Sequence, residues 1–159
     1  MQRRLATLLP LLAIAATRAS AESDSFQQCE SRNADVAIVA CTMLIDTGRS
    51  DSMMLASIIT QRGDAYAHKF DFEHAIKDYN HAIKLNPTHV VALVGRGIAH
   101  ANRLNFELAI KDYDHAIKFK PDYAKAFYYR GLAKFGLCEI DGADEDIAKA
   151  RELDPHVGD

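Results

Sequence analysis

From residue 56 onward, small, apolar and polar positions return in phase every 34 residues. Arg62-Gly63, Arg96-Gly97 and Arg130-Gly131 are in register, as are Pro87, Pro121 and Pro155. So are Ala65, Ala99 and Ala133; Ala75, Ala109 and Ala143; Asp78, Asp112 and Asp146; and Ala82, Ala116 and Ala150. Blocks 56–89 and 90–123 share the string Ala-Ile-Lys-Asp-Tyr-x-His-Ala-Ile-Lys, whereas block 124–157 keeps the small residues and diverges around them. Each block carries two helical runs. In the first, Ile58, Ile59, Ala65 and Tyr66 recur at helical spacing and predict a helix from Leu55 to Lys69. A turn follows at Phe70-Asp71, and a second helix is expected from Phe72 to Leu85. Pro87 stops it, because proline lacks the backbone N–H and disfavours helix at the residue before it. A helix pair this short cannot bury its apolar face alone, so successive pairs must stack. The pattern predicts an all-α stack of helical hairpins, an α-solenoid of three repeats.

Residues 22–55 read as a degenerate helical hairpin ahead of the first repeat. Ala37-Ile38 and Leu44-Ile45 echo Ala75-Ile76 and Ala82-Ile83, which puts Cys41 where Tyr79 stands. The stretch Thr47 to Met53, rich in Gly, Ser and Asp, is expected to be the loop into the first repeat. At the other end, Asp144 replaces Ile76 and Ile110, Arg151 replaces Ile83 and Ile117, and Lys134 replaces Tyr66. The third repeat is therefore expected to serve as its own polar cap, which a stack needs at its terminus.

The period, the small residue at the eighth position, Ala at the twentieth and twenty-seventh and Pro at the thirty-second resemble the tetratricopeptide repeat. The resemblance covers 56–157, with blocks 56–89, 90–123 and 124–157 as three copies. One departure is the fourth position, where the usual large aromatic appears only as Phe127, with Ile59 and Leu93 in the other copies. The resemblance implies a groove lined by the first helices of the repeats, faced by the second, fifth, ninth and twelfth positions. Those are Ser57, Thr60, Asp64 and Ala67, then Val91, Val94, Ile98 and Ala101, then Lys125, Tyr128, Leu132 and Phe135. The surface changes from polar to apolar to aromatic along its length, and an exposed apolar patch of this kind usually marks a binding surface. The alternative is that these apolar residues are core between helices. Some members of the family grip a partner's C-terminal carboxylate with Lys, Asn and Arg in this groove. Here Thr60, Asp64 and Gly95 stand where cationic or amide residues would be wanted, and only Lys125 fits, so binding of chaperone tails is not expected.

Composition narrows the setting. The chain of 159 residues is 48% hydrophobic and 26% charged, ordinary globular values that exclude a disordered, collagen-like or disulfide-dense chain. A net charge of −3 offers no basic excess for nucleic acid. Residues 1–21 have the layout of a secretory signal: Arg3-Arg4, an apolar run from Leu5 to Ala16, and Ala19-Ser20-Ala21 before the cleavage point. An uncleaved N-terminal anchor is the alternative. Cleavage leaves residues 22–159 with 16 basic and 22 acidic side chains, a net charge of −6. No other segment approaches 18 uninterrupted apolar residues, so no membrane insertion of the mature chain is expected. The expected location is periplasmic or secreted.

Candidate chemistry is sparse. Cys29 and Cys41 lie on the two candidate helices of the N-terminal pair; in an oxidising compartment they could form a disulfide, and the alternative is two buried thiols. Cys138 falls in the turn of the third repeat, as a free thiol, an intermolecular disulfide or an inert turn residue. His74, Asp78 and His81 share a helix face with metal-ligand spacing, yet Leu108 replaces the first histidine in the next block, which favours a solvated face. Arg62, Arg96 and Arg130 with Asp78, Asp112 and Asp146 read as structural ion pairs, since a catalytic site needs different groups converging on one point. No nucleophile–base, zinc, phosphate or calcium motif is present, and no cofactor is expected. The function expected is a non-enzymatic scaffold or adaptor of the cell envelope that binds a peptide or protein segment through Asp64, Val91, Val94, Ile98, Lys125, Tyr128, Leu132 and Phe135. The alternatives are a self-associating structural protein, with Cys138 or the groove joining a homodimer, and a metal-binding helical protein.

Overall fold

The computed structural model describes residues 24–48 and 50–159; the expected signal segment, 1–21, lies outside them. The described residues form eight helices: α1 over 24–29, α2 (Ala34–Asp46), α3 (Ser52–His68), α4 (Phe72–Leu85), α5 (Val90–Asn102), α6 (Phe106–Phe119), α7 (Ala124–Gly136) and α8 (Ile140–Leu153). No described residue is in a strand, and no described helix is long and apolar enough to cross a membrane. From α2 to α8 each helix packs on its neighbours in sequence, and α3 also touches α5 as α5 touches α7. That pattern makes α3, α5 and α7 one layer and α4, α6 and α8 the other.

Two details of the expected elements change. The helix of the first repeat starts at Ser52 rather than Leu55, because Asp51 caps it by accepting from Met53 and Met54 N–H at 3.0 and 2.8 Å. The loop from Thr47 is thereby shortened. Lys134, expected at the polar end, turns inward instead: its ammonium lies 2.8 Å from Asp146 Oδ2 and donates to Gly142 O. Asp144 and Arg151 are exposed. The cap is completed by the residues after α8, where Val157 is buried against Ala124, Tyr128 and Ala150.

Small residues set how closely the layers approach. Ala75, Ala82, Ala109, Ala116, Ala143 and Ala150 have no exposed surface. Gly97 faces the Tyr113 ring so closely that an added Cβ would fall 2.5 Å from it. Tyr79 and Tyr113 are the largest fully buried side chains of the two full repeats, and each centres a separate small core.

The strongest polar constraint recurs at each step. Arg62 grips Asp78 with two parallel bonds, Nε to Oδ2 and a terminal nitrogen to Oδ1, both 2.8 Å. Arg96 grips Asp112 at 2.9 and 2.6 Å, and Arg130 grips Asp146 at 2.8 and 2.5 Å. The remaining arm of each fork reaches back to the previous hairpin: Thr42 at 3.1 Å, Asn80 at 2.6 Å and Asp114 at 2.6 Å. One planar guanidinium thus ties three helices, a geometry that lysine cannot reproduce. Hydrogen bonds donated to the carboxylates hold the Arg62 and Arg130 pKa values above that of free arginine, outweighing burial.

The turn inside each repeat closes in one way. Asp71 N–H bonds Tyr66 O and Phe70 N–H bonds Ala67 O, with Phe70 at φ 60°. Leu104 at φ 61° and Cys138 at φ 63° repeat the arrangement. This left-handed helix end normally takes glycine. Cys138 is exposed and free. At the N-terminus, a disulfide joins Cys29 to Cys41 across a separation of 12 residues, fixing α1 to α2.

Three stability measurements follow from these contacts. Arg96→Met leaves Asp112 buried without its partner and should cost about 3 kcal/mol in urea unfolding, much of it recovered by adding Asp112→Leu. Leu104→Gly should raise stability by about 1 kcal/mol in the same assay, because Leu104 is exposed and the gain comes from its backbone conformation. Reduction of Cys29–Cys41 should remove about 3 kcal/mol from the N-terminal pair, read as faster amide exchange in α1 and α2 with α5 to α8 unaffected.

Candidate functional site

The layer of first helices carries a channel. Three hollows lie along it and share walls: one of about 260 Å³ between the N-terminal pair and α3, a central one of about 430 Å³, and one of about 230 Å³ between α5, α6 and α7. Asp64 and His68 belong to the first two, and Ile98, Asn102 and Tyr129 to the last two.

One wall of the central cleft falls at a position where two repeats differ. Gly95 has no side chain, and a Cβ there would meet the Tyr79 ring at 2.7 Å. Tyr79 therefore reaches the cleft. The residue 34 positions on is Tyr129, whose ring stacks beside Tyr113 with centroids 6.3 Å apart. The same place thus carries no side chain in one repeat and a tyrosine ring in the next.

The ninth position changes in the same way. Asp64 accepts a 2.6 Å hydrogen bond from Tyr79 OH. Burial raises the Asp64 carboxyl above the usual range, against the bond from Tyr79 and the charges of His68 and Lys125. The Tyr79 phenol is pushed up by burial and by the adjacent carboxylate. In the next repeat Ile98 stands where an acid would be needed, and Tyr113 OH is buried without a hydrogen-bond partner.

The residues expected from sequence separate in space. Asp64, Val91, Val94, Ile98 and Lys125 all line the central cleft, with Lys125 and Val91 exposed on it and Val94 only 4% exposed. Leu132 lines the third hollow. Tyr128 does not join them: it packs beneath the C-terminal turn, where Gly158 approaches its ring and Val157 covers it. The reason is that the residues after α8 fold back and fill that side. Phe135 lines none of the three hollows; it lies partly exposed at the last turn of α7. Thr60 is buried, its hydroxyl donating to Ala56 O at 2.7 Å, so it is not a groove residue. His74, Asp78 and His81 do not converge: Asp78 turns inward to Arg62 while His74 sits 2.8 Å from Asp71 Oδ2.

Sequence reasoning missed Tyr79, Tyr123, Tyr129 and Phe72, which supply the aromatic part of the cleft. The signal for it was present, since Gly95 and Tyr129 occupy the same phase of the repeat.

Comparison with known proteins agrees with this geometry. A tetratricopeptide repeat model matches residues 56–89, and a TPR repeat model matches 105–137. Curated proteins return no significant match. Among solved structures, the TPR2B domain of yeast Sti1 in complex with pHsp70 is 30% identical, with 65% of this chain and 83% of that one covered and a TM-score of 0.62. The first TPR of Spaghetti (RPAP3), bound to the HSP90 peptide SRMEEVD, is 25% identical over 67% of this chain and 84% of that one, with a TM-score of 0.64. MamA shares the fold at a TM-score of 0.67 and 24% identity, over 77% of this chain and 69% of that one. With its in-phase repeats, its stack of paired helices and these matches, the chain belongs to the tetratricopeptide repeat family.

Proposed function

We propose that this protein is a non-enzymatic interaction scaffold, or adaptor, of the cell envelope, and that it holds a peptide or protein segment in the channel along α3, α5 and α7. The observation that carries the reading is the open central cleft at Gly95, with Tyr79, Tyr123 and Tyr129 among its walls. Aromatic side chains provide large contact area at low entropic cost and are enriched at binding surfaces. The stack behind the cleft is held by arginine forks, so the surface is organised before a partner arrives, which lowers the cost of binding. The similar domains of Spaghetti and Sti1 hold an HSP90 peptide and pHsp70, in support of a peptide or protein as occupant. The envelope location rests on the signal layout of residues 1–21 and on the Cys29–Cys41 disulfide, which suits an oxidising compartment.

A photo-crosslinking amino acid at Val91, an exposed residue on the cleft, should capture a partner protein in the native envelope. The same probe at His115, exposed on α6, should capture much less; equal capture at both sites contradicts the channel reading. For the location, the protein recovered after expression with its own leader should begin at Glu22. Recovery with Met1 intact in the cytosol would contradict export.

A further inference from the structure

Asp64 stands apart from the other inward-facing acids. Asp78, Asp112 and Asp146 are each gripped by an arginine. Asp64 has no ion-pair partner among the described residues, and its one hydrogen bond comes from Tyr79. It also faces the open central cleft. The charges of His68 and Lys125 reach it only from a distance, and a part-buried carboxylate without a cation in contact is costly.

We propose that the central cleft is built for a basic side chain: an extended segment of a partner protein sets a lysine or arginine cation beside Asp64, among the rings of Tyr123 and Tyr129, with an acidic group of the same segment beside Lys125. This rests on the reading of the channel as a peptide site and names the chemistry it selects. Three features point the same way. The Asp64 carboxylate supplies the counter-charge, and its second oxygen, Oδ2, has no hydrogen bond among the described residues. The faces of aromatic rings attract cations, more strongly where water is excluded. Lys125 is exposed on the cleft and supplies the opposite charge at its edge. A segment that placed an aliphatic group over Asp64 would seal the carboxylate away unpaired, and one that placed an acid there would be repelled. The cleft thus discriminates by rejection as well as by attraction. This polarity is opposite to that of the carboxylate-gripping groove of some family members.

The test is selection of random phage-displayed dodecapeptides on wild type and on Asp64→Asn. The variant keeps an oxygen that accepts from Tyr79 and sheds a carboxylate whose ionisation burial opposes. Its thermal midpoint at pH 7 should therefore stay at or above that of wild type. Wild type should select sequences with one fixed Lys or Arg position and an acidic residue nearby, and Asp64→Asn should lose the basic position. In calorimetry, replacing that basic residue by norleucine in a selected synthetic peptide should weaken binding to wild type on the order of tenfold and to Asp64→Asn about twofold or less. Wild-type sequences without a basic position, or equal weakening toward both proteins, overturn this inference while leaving the channel reading in place. Failure of either protein to select any sequence overturns the channel reading and the inference together.

Discussion

The arginine fork is the interaction on which the rest of the structure depends. Arg62, Arg96 and Arg130 each bind an aspartate of their own hairpin through two bonds and a polar side chain of the preceding hairpin through a third. Apolar burial gives the stack its driving force but little directionality, since alanine faces against other small residues tolerate sliding. A planar cation with fixed donors does not. It sets the register of α3 on α4 and of that pair on α2, and then does so again at each following step. The partners differ in strength: Thr42 is neutral, Asn80 is neutral, and Asp114 is charged. The junction of α7 and α8 carries the additional Lys134–Asp146 pair.

With the register fixed, variation at a few phases of the repeat can be spent on function. The position occupied by Gly95 in one repeat and Tyr129 in the next decides whether the buried tyrosine meets bare backbone or a second ring. The position occupied by Asp64 and then Ile98 decides whether a buried tyrosine hydroxyl is satisfied. The result is one polar, aromatic cleft at the centre of the channel and an apolar hollow beside it. Structure here is carried by what repeats, and recognition by what does not.

That division also explains what could be read from sequence. The 34-residue period, the second helix of the first repeat over Phe72–Leu85 and the Arg–Asp pairing are all written in recurring residues, and each is visible in one chain. The start of α3 was misplaced because a single Asp51 cap decides it, and a Gly/Ser/Asp-rich stretch reads equally as loop. The cleft was legible only in part. Asp64, Val91, Val94, Ile98 and Lys125 follow from phase alone. Tyr128 did not, because its surroundings depend on how the residues after α8 fold over α7. Tyr79 has the phase of a core residue, and its reach into the cleft follows from an absence of side chain at Gly95, across the helix interface. Such contacts between repeats have no local signature.

The central claim is that partners sit in the channel of the first helices, over the central cleft. Methyl NMR spectra of the protein with and without the segment captured at Val91 test it most directly. The account predicts shifts concentrated at Val91, Val94 and Ile98, with Ile110 and Ile117 on α6 unmoved. Shifts confined to Ile110 and Ile117, with Val91, Val94 and Ile98 unchanged, would contradict it.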